Sequence, residues 1–283
     1  MLAFGGNLTA FNFLNYFARN LDNALIGWRW GAWPLGIYSK AYQLMLLPIS
    51  QITSPLSSVA IPALSRLHDD PVRYRSFYIR SLKMIAYFTM PAVACAAVLA
   101  DDIVRLVLGS QWAEAAGVFR LLAIAAIFQP ILATVGWLYV SGNRTKAMAR
   151  WGLIASPLLV ISFVIGLPWG PRGVSLCYSI MILLLVYPCF YFATSSSPVS
   201  TRDVFEAVAR PICIATGSAL LTYSARLALV STRPMSGALL TLALTLLAIC
   251  VAAQAWKQFR GDIGEATEVL LLIFRPSVRV CDQ

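Results

Sequence analysis

Apolar runs long enough to cross a bilayer follow one another along almost the whole of this chain. An α-helix needs about 20 such residues to span the hydrocarbon core. Hydrophobic residues make up 59% of the chain and charged residues only 12%, whereas a soluble domain is about 25% charged. The pattern predicts an all-α, polytopic membrane bundle of about eight spans, at residues 4–27, 36–63, 83–101, 115–140, 149–167, 174–194, 209–229 and 235–256.

Prolines recur through the second of these runs, at positions 48, 55 and 62. Each proline removes a backbone hydrogen-bond donor, and its ring crowds the preceding turn of the helix. The second span is therefore predicted to be broken. The chain after residue 256 combines apolar and acidic positions at helical spacing, which predicts a short amphipathic helix in a tail on the cytoplasmic side of the membrane.

Basic residues are concentrated in alternate connectors between the runs. With the N-terminus inside, the inner connectors hold most of them: Arg66, Arg73, Arg75, Arg80, Lys83, Arg144, Lys146, Arg150, Arg202, Arg210, Lys257, Arg260, Arg275 and Arg279. The outer connectors hold mostly single charges: Arg29, Arg105, Arg172 and Arg233. The positive-inside rule therefore predicts that both termini are cytoplasmic. The net charge of +10 indicates orientation and attraction to anionic lipid headgroups, and it is not interpreted as nucleic-acid binding.

Four polar residues form a seam inside the first run: Asn12, Asn15, Arg19 and Asp22. At helical spacing they fall on one arc about 80° wide. Ionisable groups in a spanning helix are costly and usually face a bundle interior or a water-filled cavity. A simpler interpretation also stands, because asparagines often bond a neighbouring helix and an Arg and Asp three residues apart can satisfy each other.

A second polar arc in the next run favours the cavity. Its members are Ser39, Gln43, Ser50, Ser54 and Ser57, with Lys40 and Tyr42 near its outer end. Two successive helices that each carry a polar stripe are better explained by a hydrophilic cavity than by separate local bonds. The candidate cavity residues are Asn12, Asn15, Arg19, Asp22, Lys40 and Gln43.

Motifs for catalysis and cofactor binding are not found. The six cysteines are scattered singly without metal-binding spacing, and there is no P-loop. His68 is the one histidine and lies beside Asp69 and Asp70, which is more typical of a solvated turn than of a metal site. The adjacent Asp101 and Asp102 are interpreted as a solvated helix end. The chain is therefore predicted to be neither an enzyme nor a metal- or cofactor-binding protein.

Short motifs in a regular order carry a family resemblance. They include residues 20–27 (NLDNALIG), Leu35, Gly36, Tyr38, Ala41, Tyr42, Leu47, Pro48, residues 62–66 (PALSR), Asp70, Pro71, Arg73, Tyr74, Gly109, Gln111, Trp112, residues 141–143 (SGN) and residues 166–174 (GLPWGPRGV). The chain resembles, over roughly residues 5 to 195, bacterial polysaccharide flippases of the multidrug/oligosaccharidyl-lipid/polysaccharide superfamily. These are the O-antigen, exopolysaccharide and teichuronic acid types.

The resemblance implies a fold and an activity. Such flippases have two lobes of about six helices each, related as parallel repeats around a central cavity, and often two further C-terminal helices. Here 1–195 would be the second lobe, 196–256 the two extra helices and 257–283 the tail. The implied cargo is an undecaprenyl-diphosphate-linked oligosaccharide, moved across the bacterial inner membrane by alternating access. Arg19, and more weakly Lys40, would bind its phosphates, while Asp22 would tune Arg19 or couple transport to an ion gradient.

The chain departs from the family because the resemblance begins at the second lobe. The first lobe is expected to be absent, so that the chain is a truncated frame, a half encoded apart from its partner, or a half that pairs with a second copy. Membrane lipids and the polysaccharide assembly machinery are the other expected partners. Two alternatives stay open: a multidrug-type extruder of the same superfamily, and a non-transporting scaffold of a polysaccharide assembly complex. A membrane polymerase is disfavoured because no long outer connector is present.

Overall fold

Helices account for nearly all of the chain described by the structure, a computed structural model that covers residue 9 and residues 20–228. A helical segment at 20–30 precedes nine helices. They are α1 (Ala32–Arg66), α2 (Pro71–Val98), α3 (Ala100–Val107), α4 (Ala115–Ala126), α5 (Gln129–Ala133), α6 (Val135–Ser141), α7 (Thr145–Gly166), α8 (Gly170–Thr194) and α9 (Thr201–Ala228). Most of the first predicted run, the eighth run and the tail lie outside the described residues.

Several of these helices are long and apolar enough to cross a membrane. By length and composition the described residues contain three such stretches: Pro71–Val98, Thr145–Thr194 and Thr201–Leu227. Two bent pairs raise the number to five, if each pair is one span. The pair Ala32–Leu47 and Ile49–Arg66 bends by 45° at Pro48, and the pair Ala115–Ala126 and Gln129–Ser141 bends by 48°. The predicted break in the second span is therefore confirmed at its first proline.

The longest apolar stretch, Thr145–Thr194, is folded back on itself. Trp151 packs on Phe192 with ring centroids 5.3 Å apart, and Phe163 stacks on Tyr178 at 5.8 Å. Because residues that are later in α7 meet residues that are earlier in α8, the two helices are antiparallel. The stretch therefore forms two helices long enough to cross a membrane in opposite directions, as the sequence predicts, and if each bent pair is one span the described residues hold six candidate passes.

Helix α9 lies along α2 for most of its length. Arg75 bonds Asp203, Thr222 bonds Cys95 and Arg226 bonds the carbonyl oxygen of Val98, and each pair is separated by 127 or 128 residues. A constant offset means that the two helices run parallel, so both begin at the same end of the bundle. The predicted division into a lobe at 1–195 and two extra helices at 196–256 stays a prediction.

Hydrogen bonds between distant helices hold the interior together. Trp137 donates from Nε1 to the Ser57 hydroxyl at 2.9 Å, and the Tyr78 and Thr134 hydroxyls lie 2.9 Å apart. Such bonds between spanning helices are worth about 1 kcal/mol each. Ser57, which the sequence places on the polar arc of the second span, is thus engaged inside the bundle.

Asp101 and Asp102 begin α3 and are ion-paired. Asp101 accepts from Arg120, and the Arg226 guanidinium lies 3.2 Å from a carboxylate oxygen of Asp102 and 3.6 Å from one of Asp101. Arg226 also donates to the Val98 carbonyl oxygen at 3.0 Å. The pair lies at a helix end and is partly exposed, as interpreted from the sequence, but the carboxylates also join α3 to α4 and α9, a long-range pairing that adjacent acidic residues in a sequence do not reveal.

Candidate functional site

Asp22 is the innermost charged residue of the predicted cavity set that the structure describes. It is 2% exposed, and its Oδ2 accepts a 2.7 Å hydrogen bond from the hydroxyl of Tyr38 on α1. Its neighbour Asn23 accepts a 3.0 Å hydrogen bond from the Ser39 hydroxyl. The turn between segment 20–30 and α1 depends on Gly31, whose φ of +84° disfavours a side chain. Both polar contacts therefore join this segment to α1.

An interior cavity of about 360 Å³ lies against Asp22. Its walls come from segment 20–30, α1, the bent pass of α5 and α6, and the α7–α8 hairpin. The polar side chains on these walls are Asp22, Tyr42, Gln129, Tyr139, Ser156 and Tyr178. Most of the remaining lining is aliphatic or aromatic, so the cavity combines one carboxylate with apolar walls and a few hydroxyls.

Aromatic rings pack in a continuous row beside this cavity, and Tyr42, Phe163 and Tyr178 of this row line it. Tyr38 stacks on Tyr42 with centroids 6.0 Å apart, Tyr42 lies 6.4 Å from Tyr178, and Tyr178 stacks on Phe163. Gln129 donates to the Tyr178 hydroxyl at 2.7 Å. Rings with hydroxyl groups offer both stacking faces and hydrogen bonds, which suits an amphipathic ligand.

Tyr139 adds a hydroxyl that has no hydrogen-bond partner among the described residues. The residue is 1% exposed and lines the cavity, and its hydroxyl makes no hydrogen bond with any described residue. A buried hydroxyl without a partner costs about 1–3 kcal/mol. A polar atom of a ligand or of a water molecule that binds here would satisfy this hydroxyl.

We expect Tyr38→Phe to lower the free energy of unfolding by about 2 kcal/mol, because a hydrogen bond to a buried charged group is lost. The measurement is denaturation of the purified chain in detergent micelles, followed by intrinsic fluorescence. Tyr187→Phe is the control, since that ring is 60% exposed and should change stability little. Equal stability of the two variants would show that the hydrogen bond from Tyr38 to Asp22 contributes nothing to the free energy of unfolding.

Lys40 and Gln43 lie apart from this cavity, on an exposed face of α1. Exposed polar side chains lie along this face on both sides of the exposed Leu47. We call this set the polar face of α1: Lys40, Gln43, Ser50, Gln51, Ser54 and Ser58. Ser50 and Ser58 donate to backbone carbonyls of their own helix, whereas Lys40 and Gln43 make no hydrogen bond with a described residue.

The exposed surfaces of the later helices differ from this polar face. Large apolar side chains cover the outside of α7, α8 and α9, with Ile154 50%, Leu184 64% and Leu220 69% exposed. Lipid offers no hydrogen-bond partners, so apolar side chains suit a bilayer-facing surface and polar ones do not. In a membrane the polar face of α1 therefore requires water or another protein surface beside it.

The predicted site residues thus separate into three groups. Asp22 lies at the interior cavity, while Lys40 and Gln43 lie on the polar face of α1. Asn12, Asn15 and Arg19 lie outside the described residues, and their role stays a prediction. The cavity residues Tyr139 and Tyr178 were missed because aromatic residues in spanning helices are usually core or anchors.

Gln129 was missed for a different reason, although a signal for it existed. It is a polar residue in the middle of the fourth apolar run, directly before Pro130. A polar side chain at such a break often faces a cavity, because irregular backbone at membrane depth must be buried in protein or lie beside water.

Comparison with known proteins supports the predicted resemblance. Residues 1–117 match a family described as polysaccharide biosynthesis protein. The chain is 26% identical over 165 residues to the lipopolysaccharide biosynthesis protein WzxC of Escherichia coli, covering 58% of this chain and 34% of WzxC. It is 26% identical over 149 residues to the teichuronic acid biosynthesis protein TuaB of Bacillus subtilis, covering 53% of this chain and 31% of TuaB.

A solved structure shares the fold. The lipid II flippase MurJ in an inward closed conformation matches with a TM-score of 0.68 and 17% identity, over 87% of this chain and 52% of MurJ. The chain is therefore a multi-pass helical membrane protein with the fold of about half of that structure. More particularly, its sequence is similar to that of polysaccharide biosynthesis proteins, in line with the motifs. Its matches span about a third of the length of these curated relatives.

Proposed function

We propose that this chain supplies the second half of a pathway that moves lipid-linked oligosaccharide units across the bacterial inner membrane, with both termini cytoplasmic. The observation that carries the proposal is the polar face of α1 on a bundle in which large apolar side chains cover the outside of α7, α8 and α9. A diphosphate-linked sugar needs cations and hydrogen-bond donors along its path. Lys40, Gln43 and Gln51 offer such groups, and Arg19 is expected to add a guanidinium. The chain would act as a transporter and not as an enzyme.

In this proposal a partner supplies the surface that faces the polar face of α1 across the pathway. The relatives are about three times as long as the segments that match this chain, so the partner is a first lobe or a second copy of this chain. Parallel repeats around an axis along the membrane normal permit either arrangement. Disulfide trapping with Ser54→Cys distinguishes the two partners. If the partner is a second copy of the chain, the two cysteines at this position form a covalent dimer; if it is a first lobe, they do not.

Export of surface polysaccharide tests the function directly. The chain, joined behind the first lobe of a polysaccharide flippase, is expressed in a strain whose own flippase gene is deleted. We expect the double variant Lys40→Leu, Gln43→Leu to lower export by about tenfold or more, since bonds to charged groups are worth about 1.5–3 kcal/mol. The control is Leu183→Ala, Leu184→Ala on the apolar face of α8. Full export by the first variant would refute a cargo path along this face.

A second candidate, a multidrug-type extruder, is favoured by the interior cavity. Asp22 beside the rings of Tyr42, Trp151 and Phe163 is chemistry that binds lipophilic cations, because a carboxylate and aromatic faces both attract positive charge. Efflux of a fluorescent cation from the same strain separates the two functions. Two results together would support this candidate: the parent chain extrudes the cation but exports no polysaccharide, and Asp22→Leu abolishes the extrusion.

A further inference from the structure

A second large cavity, of about 620 Å³, lies between α2 and α9 near the end of the bundle where both helices begin. None of its lining residues belongs to the Asp22 cavity or to the polar face of α1. Four basic side chains line it, namely Arg75, Arg80, Lys83 and Arg210, together with Asp203 and Glu206. The four cations and two carboxylates leave the lining with an excess of positive charge.

The carboxylates of this cavity are already held by arginines. Asp203 accepts from Nε and an Nη of Arg75 at 2.7 and 2.6 Å, and it also accepts from the backbone N–H of Ser200 at 3.0 Å. Glu206 accepts from Nε of Arg202 at 2.6 Å. Arg80, Lys83 and Arg210 have contacts of their own, so an arriving anion would join an existing network and would not meet bare charges.

Apolar groups complete the cavity wall. Val72, Ile79 and Ala207 line it beside the cations, and Ile79 packs against the bundle core. The helix N-termini on either side, at Pro71 and Thr201, add weak positive potential to the same end. Basic residues next to an apolar wall at a membrane surface match the chemistry of a phospholipid, whose phosphate is joined to acyl chains.

The proposed orientation, with both termini cytoplasmic, places this cavity at the inner leaflet. The cations lie in the connectors and helix starts that the positive-inside rule assigns to the cytoplasm. Anionic lipids are enriched in that leaflet, and basic pockets between spanning helices bind their headgroups. We propose that this cavity binds the headgroup of an anionic phospholipid, with the phosphate held among Arg80, Lys83 and Arg210 and the acyl chains directed along the apolar wall.

Thermal unfolding of the purified chain in a nonionic detergent tests the site. Phosphatidylglycerol is titrated as the probe, and phosphatidylcholine and inorganic phosphate are titrated separately. We expect phosphatidylglycerol to raise the melting temperature and the other two to have little effect. The variant Arg80→Gln, Lys83→Gln, Arg210→Gln should weaken the apparent phosphatidylglycerol affinity on the order of a hundredfold, given the usual contribution of each cation near a membrane surface.

A matched variant separates a defined site from general surface charge. Arg66→Gln, Lys146→Gln, Arg150→Gln removes the same number of positive charges from the connectors assigned to the same side of the membrane, but none of these residues lines the cavity. It should keep most of the affinity. If the triple variant does not fold, Lys83→Gln alone is measured in its place. Its phosphatidylglycerol affinity should be lower than that of the parent chain, by less than is expected for the triple variant.

Four results would overturn the proposal. The first is an unchanged phosphatidylglycerol affinity in the triple variant or, when that variant does not fold, in Lys83→Gln. The second is a loss of affinity in the matched variant as large as in the triple variant. The third and fourth are rises in melting temperature with phosphatidylcholine or with inorganic phosphate as large as with phosphatidylglycerol. The last would identify a soluble phosphate in place of a lipid. None of these readouts depends on polysaccharide export, so failure here leaves the proposed function untouched.

Discussion

Gly173→Ala is expected to lower the free energy of unfolding by about 3 kcal/mol, at the upper end of the usual range for overpacking. A Cβ at this position would lie 2.4 Å from the carbonyl oxygen of Gly166 and 2.5 Å from the Cβ of Trp169. The first of these contacts is with backbone, which has no alternative rotamer. The clash can therefore be relieved only by separating the two helices at their turn.

Gly166→Ala should produce a similar loss, because a Cβ there would lie 2.6 Å from the carbonyl oxygen of Gly173 and 2.7 Å from the Cα of Val174. The two glycines form one close backbone contact between α7 and α8. Opening this contact displaces Phe163 and Tyr178, which are part of the cavity wall. A loss of stability should thus be accompanied by loss of any ligand bound in the cavity.

Chemical denaturation in detergent, followed by tryptophan fluorescence, measures these changes. Gly217→Ala is the control: it lies inside α9, and nothing is within 4 Å of its added Cβ. Alanine there should be neutral or should stabilise the helix by up to about 1 kcal/mol. If Gly173→Ala and Gly217→Ala unfold at the same denaturant concentration, the close contact between α7 and α8 is not formed in the protein.

The described passes of the bundle could be predicted from the sequence because each depends on local properties. The length of an apolar run and the position of a proline are written in consecutive residues, so the six candidate passes and the break at Pro48 were predictable. The location of Asp22 at an interior cavity was predictable for a related reason. A carboxylate in an apolar run has few tolerable surroundings other than a protein interior.

Contacts between distant helices could not be predicted in the same way. The polar arc of the second span gives its angular position on that helix, but not what faces it. Ser57 is therefore engaged by Trp137, 80 residues away, while Gln43 on the same predicted arc is exposed. Similarly, nothing in the sequence near Asp22 indicates that Tyr38 is the hydroxyl that binds it. Such pairings depend on how the helices rotate and cross.

Asp22→Asn is expected to lower polysaccharide export at least tenfold in the chain joined behind a first flippase lobe. This factor lies within the usual range of energetic coupling between sites. The substitution keeps the size of the side chain, and an amide oxygen can still accept the bond from Tyr38. It removes the negative charge and the ability to bind and release a proton. A loss of export with normal insertion in the membrane would therefore assign the effect to charge and not to packing.

The dependence of export on the ion gradient then distinguishes two roles for this carboxylate. If Asp22 carries the coupling ion, export by Asp22→Asn should be low and insensitive to ionophores that collapse the proton or sodium gradient. If Asp22 only orients Arg19, the remaining export should stay as sensitive to ionophores as that of the parent chain. Asp203→Asn is the matched control, because it removes a carboxylate that pairs with Arg75 and does not line the Asp22 cavity. Export by Asp22→Asn at the level of this control would exclude Asp22 from the transport cycle and leave it the local structural role that its bond to Tyr38 already supports.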